Sequence, residues 1–447
     1  MSSRRKFITD SVLGGAAVAF SGSLMSMPAK SYRKIVGSND RLNVAIAGLG
    51  RRLGAFYTPI ALKSANVELV YLCDVMKKQR ERALNNFSKH IDYRPKLEVD
   101  IRKVIDDENV DVLLNLTPDH WHTPGSILAM QGGKHVYVEK PCSHNMNENE
   151  LLVAAAKKYD KIVQMGNQQR SSDHTIELIK DIHDGAIGKP YKAVAFYVNS
   201  RSSVPVQKKA FVPEGLDWDL WQGPAIHREY TSETWDYNWH WYGWNYGTAE
   251  AGNNGTHELD IARWALQVGY PEHTRVIAGK RQFKDDGWEM YDSMEATFNF
   301  SDNKIIQWDG KSRNAYNTYG AGRGTLIYGS EGAAFVDRDR YEMTNLGGEI
   351  IKERKTGSNE AGTALGGGGD TSTAHILNFF NTIRGTEKLQ APIDDAAVSM
   401  AMVHYANIAY RTGKDFDIDE KNGRIYDRDA MALWSREYEN GWEPKLY

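Results

Sequence analysis

From Arg41 onward, short runs rich in Val, Ile and Leu alternate with longer stretches whose apolar residues recur at helical spacing. The short runs predict strands at Asn43–Ala47, Val67–Cys73, Val110–Leu116, His135–Glu139 and Ile162–Met165. Between them the pattern predicts helices over Leu53–Ser64, Met76–Phe87, Asp100–Asp106, Thr123–Gln131 and Asn147–Tyr159. Such alternation implies a parallel, doubly wound α/β sheet. Right-handed crossovers then gather the strand C-termini along one edge, where ligands bind.

Past about residue 165 the pattern changes. A helix over Asp173–Asp184 and a strand at Tyr191–Asn199 lead into a segment, 200–256, dominated by Trp, Tyr and Gly. A helix over Glu258–Gln267 follows. Then come period-two runs at Thr274–Arg281, Asp292–Phe300, Lys304–Gly310, Gly324–Tyr328, Ala333–Asp337 and Tyr341–Asn345. These predict a second, α+β domain with a large, mainly antiparallel sheet covered on one face by helices. Gly366-Gly-Gly-Gly-Asp370 reads as a flexible joint, and helices over 371–384 and 394–411 pack back on one of the domains.

Composition narrows the class. At 447 residues, with 41% hydrophobic and 25% charged residues, the chain suits two globular domains. A net charge of −3 and the lack of a basic run past the N-terminus argue against nucleic acid as a partner. Cys73 and Cys142 are too few for a disulfide framework and read as small buried hydrophobes. Residues 1–30 pair Arg4-Arg5 with a modest Gly/Ala-rich apolar run, the pattern of a twin-arginine export signal. Its short apolar run and Asp10 argue against a membrane anchor. The chain is therefore expected in the periplasm, and removal of residues 1–30 would take the net charge to about −6.

Two stretches carry chemistry. Val44-Ala-Ile-Ala-Gly48-Leu49-Gly50-Arg51-Arg52-Leu-Gly54 runs from a strand into a glycine turn that opens a helix. That is a cradle for a pyrophosphate, although the third glycine comes one residue late. Asp74, closing the next strand, would accept hydrogen bonds from ribose hydroxyls and repel a 2′-phosphate, which favours NAD over NADP. The second stretch, His135-Val-Tyr-Val-Glu139-Lys140-Pro141, places a lysine at the tip of a strand in the same sheet.

With these residues assembled, the chain resembles the Gfo/Idh/MocA oxidoreductases. The markers are Gly48-Leu-Gly50, Thr117-Pro118-Asp119-His120, Glu139-Lys140-Pro141, Leu216-Asp-Trp-Asp-Leu-Trp221, Gly252-Asn-Asn-Gly-Thr-His257 and His375-Ile-Leu-Asn378-Phe. The resemblance implies a Rossmann NAD-binding domain over 41–166 and a C-terminal substrate and oligomerisation domain over 167–447. It also implies a carbohydrate between them and pairing into dimers or tetramers. Beyond the glycine turn and Asp74 it adds Thr117, Pro118, His120, Glu139 and Lys140 to the cofactor contacts. Lys140 and His257 are then the catalytic pair, with Asn253, Asp260 and His375 on the substrate side. Asn253 stands where the family has an aspartate; it can orient a hydroxyl but cannot take its proton.

Alcohol oxidation needs a group that accepts the hydroxyl proton. Burial beside a cationic nicotinamide would lower the Lys140 pKa toward that task, and Pro141 stiffens the chain and allows a cis Lys140–Pro141 bond. His257, at a predicted helix start, should be neutral under the helix dipole, with Asp260 one turn on to fix its tautomer. His120 and His122 invite a metal reading, but no neighbouring ligand spacing completes one, so no metal is expected. Trp239, His240 and Trp241 read as sugar-lining rings, Trp218 and Trp221 as loop anchors, and Trp264 as helix core.

Export sharpens the choice of reaction, because a periplasmic enzyme needs a nucleotide that stays bound and is restored each cycle. Carbohydrate oxidoreduction satisfies this. So does NAD-dependent glycoside hydrolysis through transient oxidation, elimination, hydration and re-reduction, known in a branch that the chain also resembles. A non-catalytic sugar- or nucleotide-binding protein is the third reading.

Overall fold

The computed structural model describes residues 40–355 and 370–447. The proposed export signal and all but the last residue of the Gly366–Asp370 joint lie outside the described residues.

The first sheet is parallel, in the order β3-β2-β1-β4-β5-β6. Its strands are β1 (Leu42–Ala47), β2 (Val67–Cys73), β3 (Lys96–Glu98), β4 (Val112–Asn115), β5 (His135–Val138) and β6 (Val163–Met165). Helices Lys77–Phe87, Ile101–Ile105, Asp119–Gln131 and Met146–Lys158 cross between them. The order reverses between β1 and β4, the switch point at which doubly wound sheets open a crevice.

Two segments differ from expectation. The expected helix after the glycine turn is a 3-10 stretch, Arg51–Phe56, followed by a single α-turn at Tyr57–Ala61. Pro59 has no amide to return to the Ala55 carbonyl, which keeps the regular ladder short. Helix Asp119–Gln131 begins four residues before Thr123 and carries Pro124 inside. The missing Pro124 amide leaves the His120 carbonyl free, and Arg436 Nη2 donates to it at 2.7 Å.

The second sheet is nine-stranded, in the order β14-β13-β12-β11-β7-β10-β9-β8-β15. It comprises β7 (Pro190–Val198), β8 (His273–Gly279), β9 (Ser293–Asn299), β10 (Ile305–Lys311), β11 (Arg323–Gly329), β12 (Gly332–Val336), β13 (Arg340–Asn345), β14 (Ile350–Lys355) and β15 (Phe416–Asp417). Every pairing is antiparallel except β7 with β10. Its alternating burial matches the period-two sequence pattern. Helices Asp173–His183, Thr256–Leu266 and Ile393–Thr412 pack on one face.

The two later helices pack back on different parts. Helix Asp370–Ile383 sends Ile376, Phe379 and Phe380 into the apolar core around β1 and β2. Helix Ile393–Thr412 lies between helices Met146–Lys158 and Thr256–Leu266. Both cysteines are buried.

Candidate active site

The C-terminal tips of β1, β2, β4 and β5 form one wall of a deep cleft, lined by Gly48, Gly50, Arg51, Arg52, Asp74, Thr117, Pro118, Glu139 and Lys140. The turn is built for close approach. Gly48 has φ +86°, and a Cβ there would lie 2.4 Å from the Leu116 carbonyl oxygen, so only glycine fits. Around Gly50, by contrast, a Cβ would meet nothing within 4 Å: the backbone faces open space.

Asp74 is held in place by the amides of Leu49 and Met76, which donate to its two oxygens at 2.7 and 2.8 Å. Burial raises its pKa, partly offset by those two amides. The Leu49 amide is therefore spoken for and its side chain is buried in the core, so Leu49 is a scaffold residue, not the cofactor contact expected of it. A glycine bend open on one side, with an oriented carboxylate at the end of the next strand, fits the pyrophosphate and ribose of NAD.

Across the cleft stand Tyr197, Arg201, Trp235, Tyr237, Trp239, His240, Asn253, Asn254, His257 and Arg338. Asn253 sits in a π-helical turn, Ala251–Gly255, that runs into helix Thr256–Leu266. Such wide turns cluster at functional sites. Gly252 allows this one, since a Cβ there would overlap Thr248 Oγ1. Thr248 in turn donates from its amide and hydroxyl to Asp119, joining the two walls.

Lys140, after a cis peptide bond to Pro141 closes the strand tip, spans the cleft. Its Nζ donates to the Asn253 side-chain oxygen at 3.0 Å and to the Asn253 carbonyl. Burial pushes the amine down to about 8, against the opposing pull of Glu139 and Asp119. Burial alone would raise the Glu139 carboxyl. Arg52, whose Nε donates to it at 2.6 Å, takes it below its ordinary value. Arg51 pairs with Asp236 at 3.3 Å and lies over the Tyr237 ring.

His257 lines the same cleft and is neutral, but burial is the main cause, followed by the positive charges of Arg338 and Lys140. The helix dipole contributes little there, because the π-turn continues the helix upstream. Asp260 does not touch it. Three helical residues turn through about 300°, which leaves the side chain about 60° short of the direction of His257. Asp260 instead accepts a two-pronged bond from Arg170 (2.7 Å each) and one from Ser399 (2.6 Å). It is a buried structural anion, not a substrate or tautomer-fixing group.

Three further expectations are corrected. His120 is fully buried; its Nε2 bonds the Trp221 carbonyl at 2.9 Å, and its ring packs on Trp221 and Tyr246 behind the cleft. His375 is likewise sealed, between Ser171 Oγ (2.7 Å) and the Met165 carbonyl (2.9 Å). Trp241 stacks on Trp288 at 4.0 Å within the core and does not line the cleft. Trp239 and His240 do line it, stacked on each other at 3.6 Å. Trp218 and Trp221 stack at 4.8 Å and anchor their loop, and Trp221 also reaches the cleft. Trp264 is half-buried, and its ring faces the Arg170 guanidinium at 4.5 Å. His122, the other half of the His-x-His pair, bonds the Pro141 carbonyl, which splits that pair between two separate contacts.

Sequence reasoning missed Arg201, Glu250 and Arg338. Arg201 pairs with Glu250 at 3.0 Å, and Glu250 also accepts from Asn254. Arg338 lies in a charged turn, Asp337-Arg-Asp-Arg340, that reads as a solvated hairpin tip. Folding turns it inward, half-buried, at the cleft, and desolvation together with Arg323 lowers its pKa to about 9.

Comparison with known proteins agrees with this geometry. The profile of the oxidoreductase family, NAD-binding Rossmann fold, matches residues 42–167, and that of the family's C-terminal alpha/beta domain matches 180–342. A "Glycosyl hydrolase family 109 protein" of Saccharopolyspora erythraea is 26% identical over 242 residues, 49% of this chain and 52% of that protein. An "Inositol 2-dehydrogenase" of Salmonella paratyphi B is 26% identical over 169 residues, 37% of this chain and 48% of that protein. The chain thus aligns with about half the length of these curated relatives. Among solved structures, aldose-aldose oxidoreductase from Caulobacter crescentus superposes with TM-score 0.62 at 17% identity, over 85% of this chain and 100% of that one. Myo-inositol 2-dehydrogenase from Lactobacillus plantarum gives 0.60 at 20% identity, over 85% and 100%. At such identities they speak for the fold alone. The two family profiles, laid on a glycine turn and Lys140 that meet at one cleft, place this chain in the Gfo/Idh/MocA family of NAD-binding oxidoreductases.

Proposed function

We propose that this protein oxidises or reduces a secondary alcohol or carbonyl of a carbohydrate, using tightly held NAD. The observation that carries the reading is Lys140: an amine with a pKa of about 8 that reaches from the Gly48–Asp74 wall across the cleft to Asn253. Bound NAD supplies the hydride acceptor. Lys140 accepts the hydroxyl proton at its Nζ, and Asn253 aims that nitrogen into the cleft. His257, uncharged, offers a hydrogen bond to a neighbouring hydroxyl. Trp239 and Trp235 supply flat apolar faces for the C–H face of a sugar ring.

A second reading, glycoside hydrolysis by a redox-neutral cycle, is favoured by the relatives named glycosyl hydrolase family 109 proteins. One experiment decides between the two. The purified protein is denatured and assayed for released NAD(H), then the native enzyme is offered aryl-glycosides and free sugars without added nucleotide. Aryl-alcohol release without net NADH selects hydrolysis; NADH accumulation on a free sugar selects dehydrogenation. Full activity in Lys140→Met would take Lys140 out of the chemistry, and no turnover of either substrate class by the wild type would leave a binding protein.

Export through the twin-arginine route, with the cofactor carried inside the folded chain, is the setting we infer. Arg4-Arg5 followed by a short apolar run supports it. Retention of an Arg4→Lys, Arg5→Lys variant in the cytoplasm, against periplasmic wild type, is its test. We also propose pairing of copies through the outward face of the nine-stranded sheet, where Ile277 is 56% exposed beside a mixed apolar and charged surface. Light scattering on wild type and Ile277→Lys measures it.

A further inference from the structure

A second cavity lies apart from the nucleotide cleft. It sits among the start of helix Met146–Lys158, the last turns of helix Ile393–Thr412 and the segment 433–437, and encloses about 500 Å³. His144 stands in its wall, 9% exposed, and neither ring nitrogen has a hydrogen-bond partner among the described residues. Burial, with positive charge from Arg436 and Arg411, holds the ring neutral, so it offers one donor and one acceptor. Arg436 Nη1 is also buried without a partner among the described residues, and Asn145, whose side chain reaches the Tyr438 hydroxyl, lines the same space. The other arms of Arg436 are engaged: Nε donates to Glu148 at 2.9 Å, and Nη2 to the His120 carbonyl.

Arg411, exposed to solvent in the cavity wall, adds a second positive group, and the unsatisfied buried donors are those of His144 and Arg436. Its guanidinium lies 5.0 Å from the centre of the Trp244 ring, and no carboxylate among the described residues pairs with it. Glu289 and Glu437 line the cavity too, but both are exposed at its mouth. Buried donors of this kind are normally satisfied, and several left open around one space point to something that fills it. Guanidinium groups and neutral amide and imidazole N–H groups together match an anionic oxygen cluster.

We propose that this cavity is a second ligand site, which takes a small oxyanion, a carboxylate or a phosphate, between Arg436, Arg411, His144 and Asn145. It is independent of the reaction assigned to the cleft.

The test titrates full-length, NAD-loaded protein by calorimetry with inorganic phosphate and, separately, with glucuronate, so that the nucleotide cleft stays occupied. Saturable binding of either anion, weakened about tenfold or more in Arg411→Gln, is the expected result. Phosphate alone binding assigns a phosphate-bearing ligand, and glucuronate alone a carboxylate. Thermal melting with and without the anion is the parallel measurement: the midpoint rises in wild type and not in Arg411→Gln. If that variant does not fold, Arg411→Lys keeps the charge and loses the fork, and weaker binding is again expected. No heat from either anion, or equal binding in wild type and variant, overturns the proposal.

Discussion

Lys140 and Asn253 face each other across the cleft, with the amine nitrogen bonded to both oxygens of one residue. The strand tip of one domain is thereby coupled to a π-turn of the other, and the amine is fixed where it has lost much of its water.

This sets the pH behaviour. The proposed oxidation needs the neutral amine, so kcat should climb with pH, pass half its maximum near pH 8, where burial sets the Lys140 pKa, and level off about one unit above. Lys140→Met should lose about 10²–10⁴-fold in kcat while NAD still quenches tryptophan fluorescence. Stability moves in the same sense. The folded amine releases its proton near pH 8 and the unfolded one near its ordinary 10.5. Between those values the unfolded chain binds more protons, so the folding penalty of this group shrinks as pH rises through that window. A pH–rate profile flat through that region contradicts the assignment.

Asp74 is the residue expected to set the nucleotide preference. Asp74→Ser removes the oriented carboxylate and releases the Leu49 and Met76 amides. NAD affinity should fall about tenfold or more, and the preference for NAD over NADP should narrow, in fluorescence titrations of both nucleotides.

Asp260 should behave as a stability residue. Asp260→Ala leaves buried Arg170 with Asp395 as its remaining ion pair, and a loss of about 3–5 kcal/mol is expected in thermal or denaturant unfolding. Where the variant remains folded, the pH–rate profile should match wild type. A shifted profile would instead couple Asp260 to His257.

Neighbouring tryptophans should separate function from packing. Trp239→Ala, on the cleft wall, should raise KM for the sugar with a smaller change in melting temperature. Trp241→Ala, two residues on, should cost about 3–5 kcal/mol of stability, because its ring fills the core against Trp288. Steady-state kinetics and melting curves on the pair check both.

The sheets were legible in the chain because burial imposes a period that sequence displays. β2 matches its expected bounds to the residue, and most other predicted strands shift at their ends by a residue or two. β3, at three residues, is too short to carry a period, and β14 presents Ile350 and Ile351 to solvent within a charged run. At the site, the glycine turn, Asp74 and Lys140 were readable because the chemistry needs those residue types at strand tips, whereas Asn253 and His257 came from the family resemblance and line the same cleft. What the sequence hid was direction. Asp260, His120, His375 and Trp241 have plausible chemistry, yet each side chain finds its partner in the interior. Arg338 shows the reverse case, a charged turn folded inward.

The dinucleotide-binding half owes part of its interior to residues more than two hundred positions downstream. Ile376, Phe379 and Phe380 wedge under β1 and β2, so a fragment ending near residue 166 would present a greasy slot to water. Excised alone, that half should aggregate or bind nucleotide feebly. Whatever tugs on the helix carrying those three side chains tugs on the floor beneath the glycine bend.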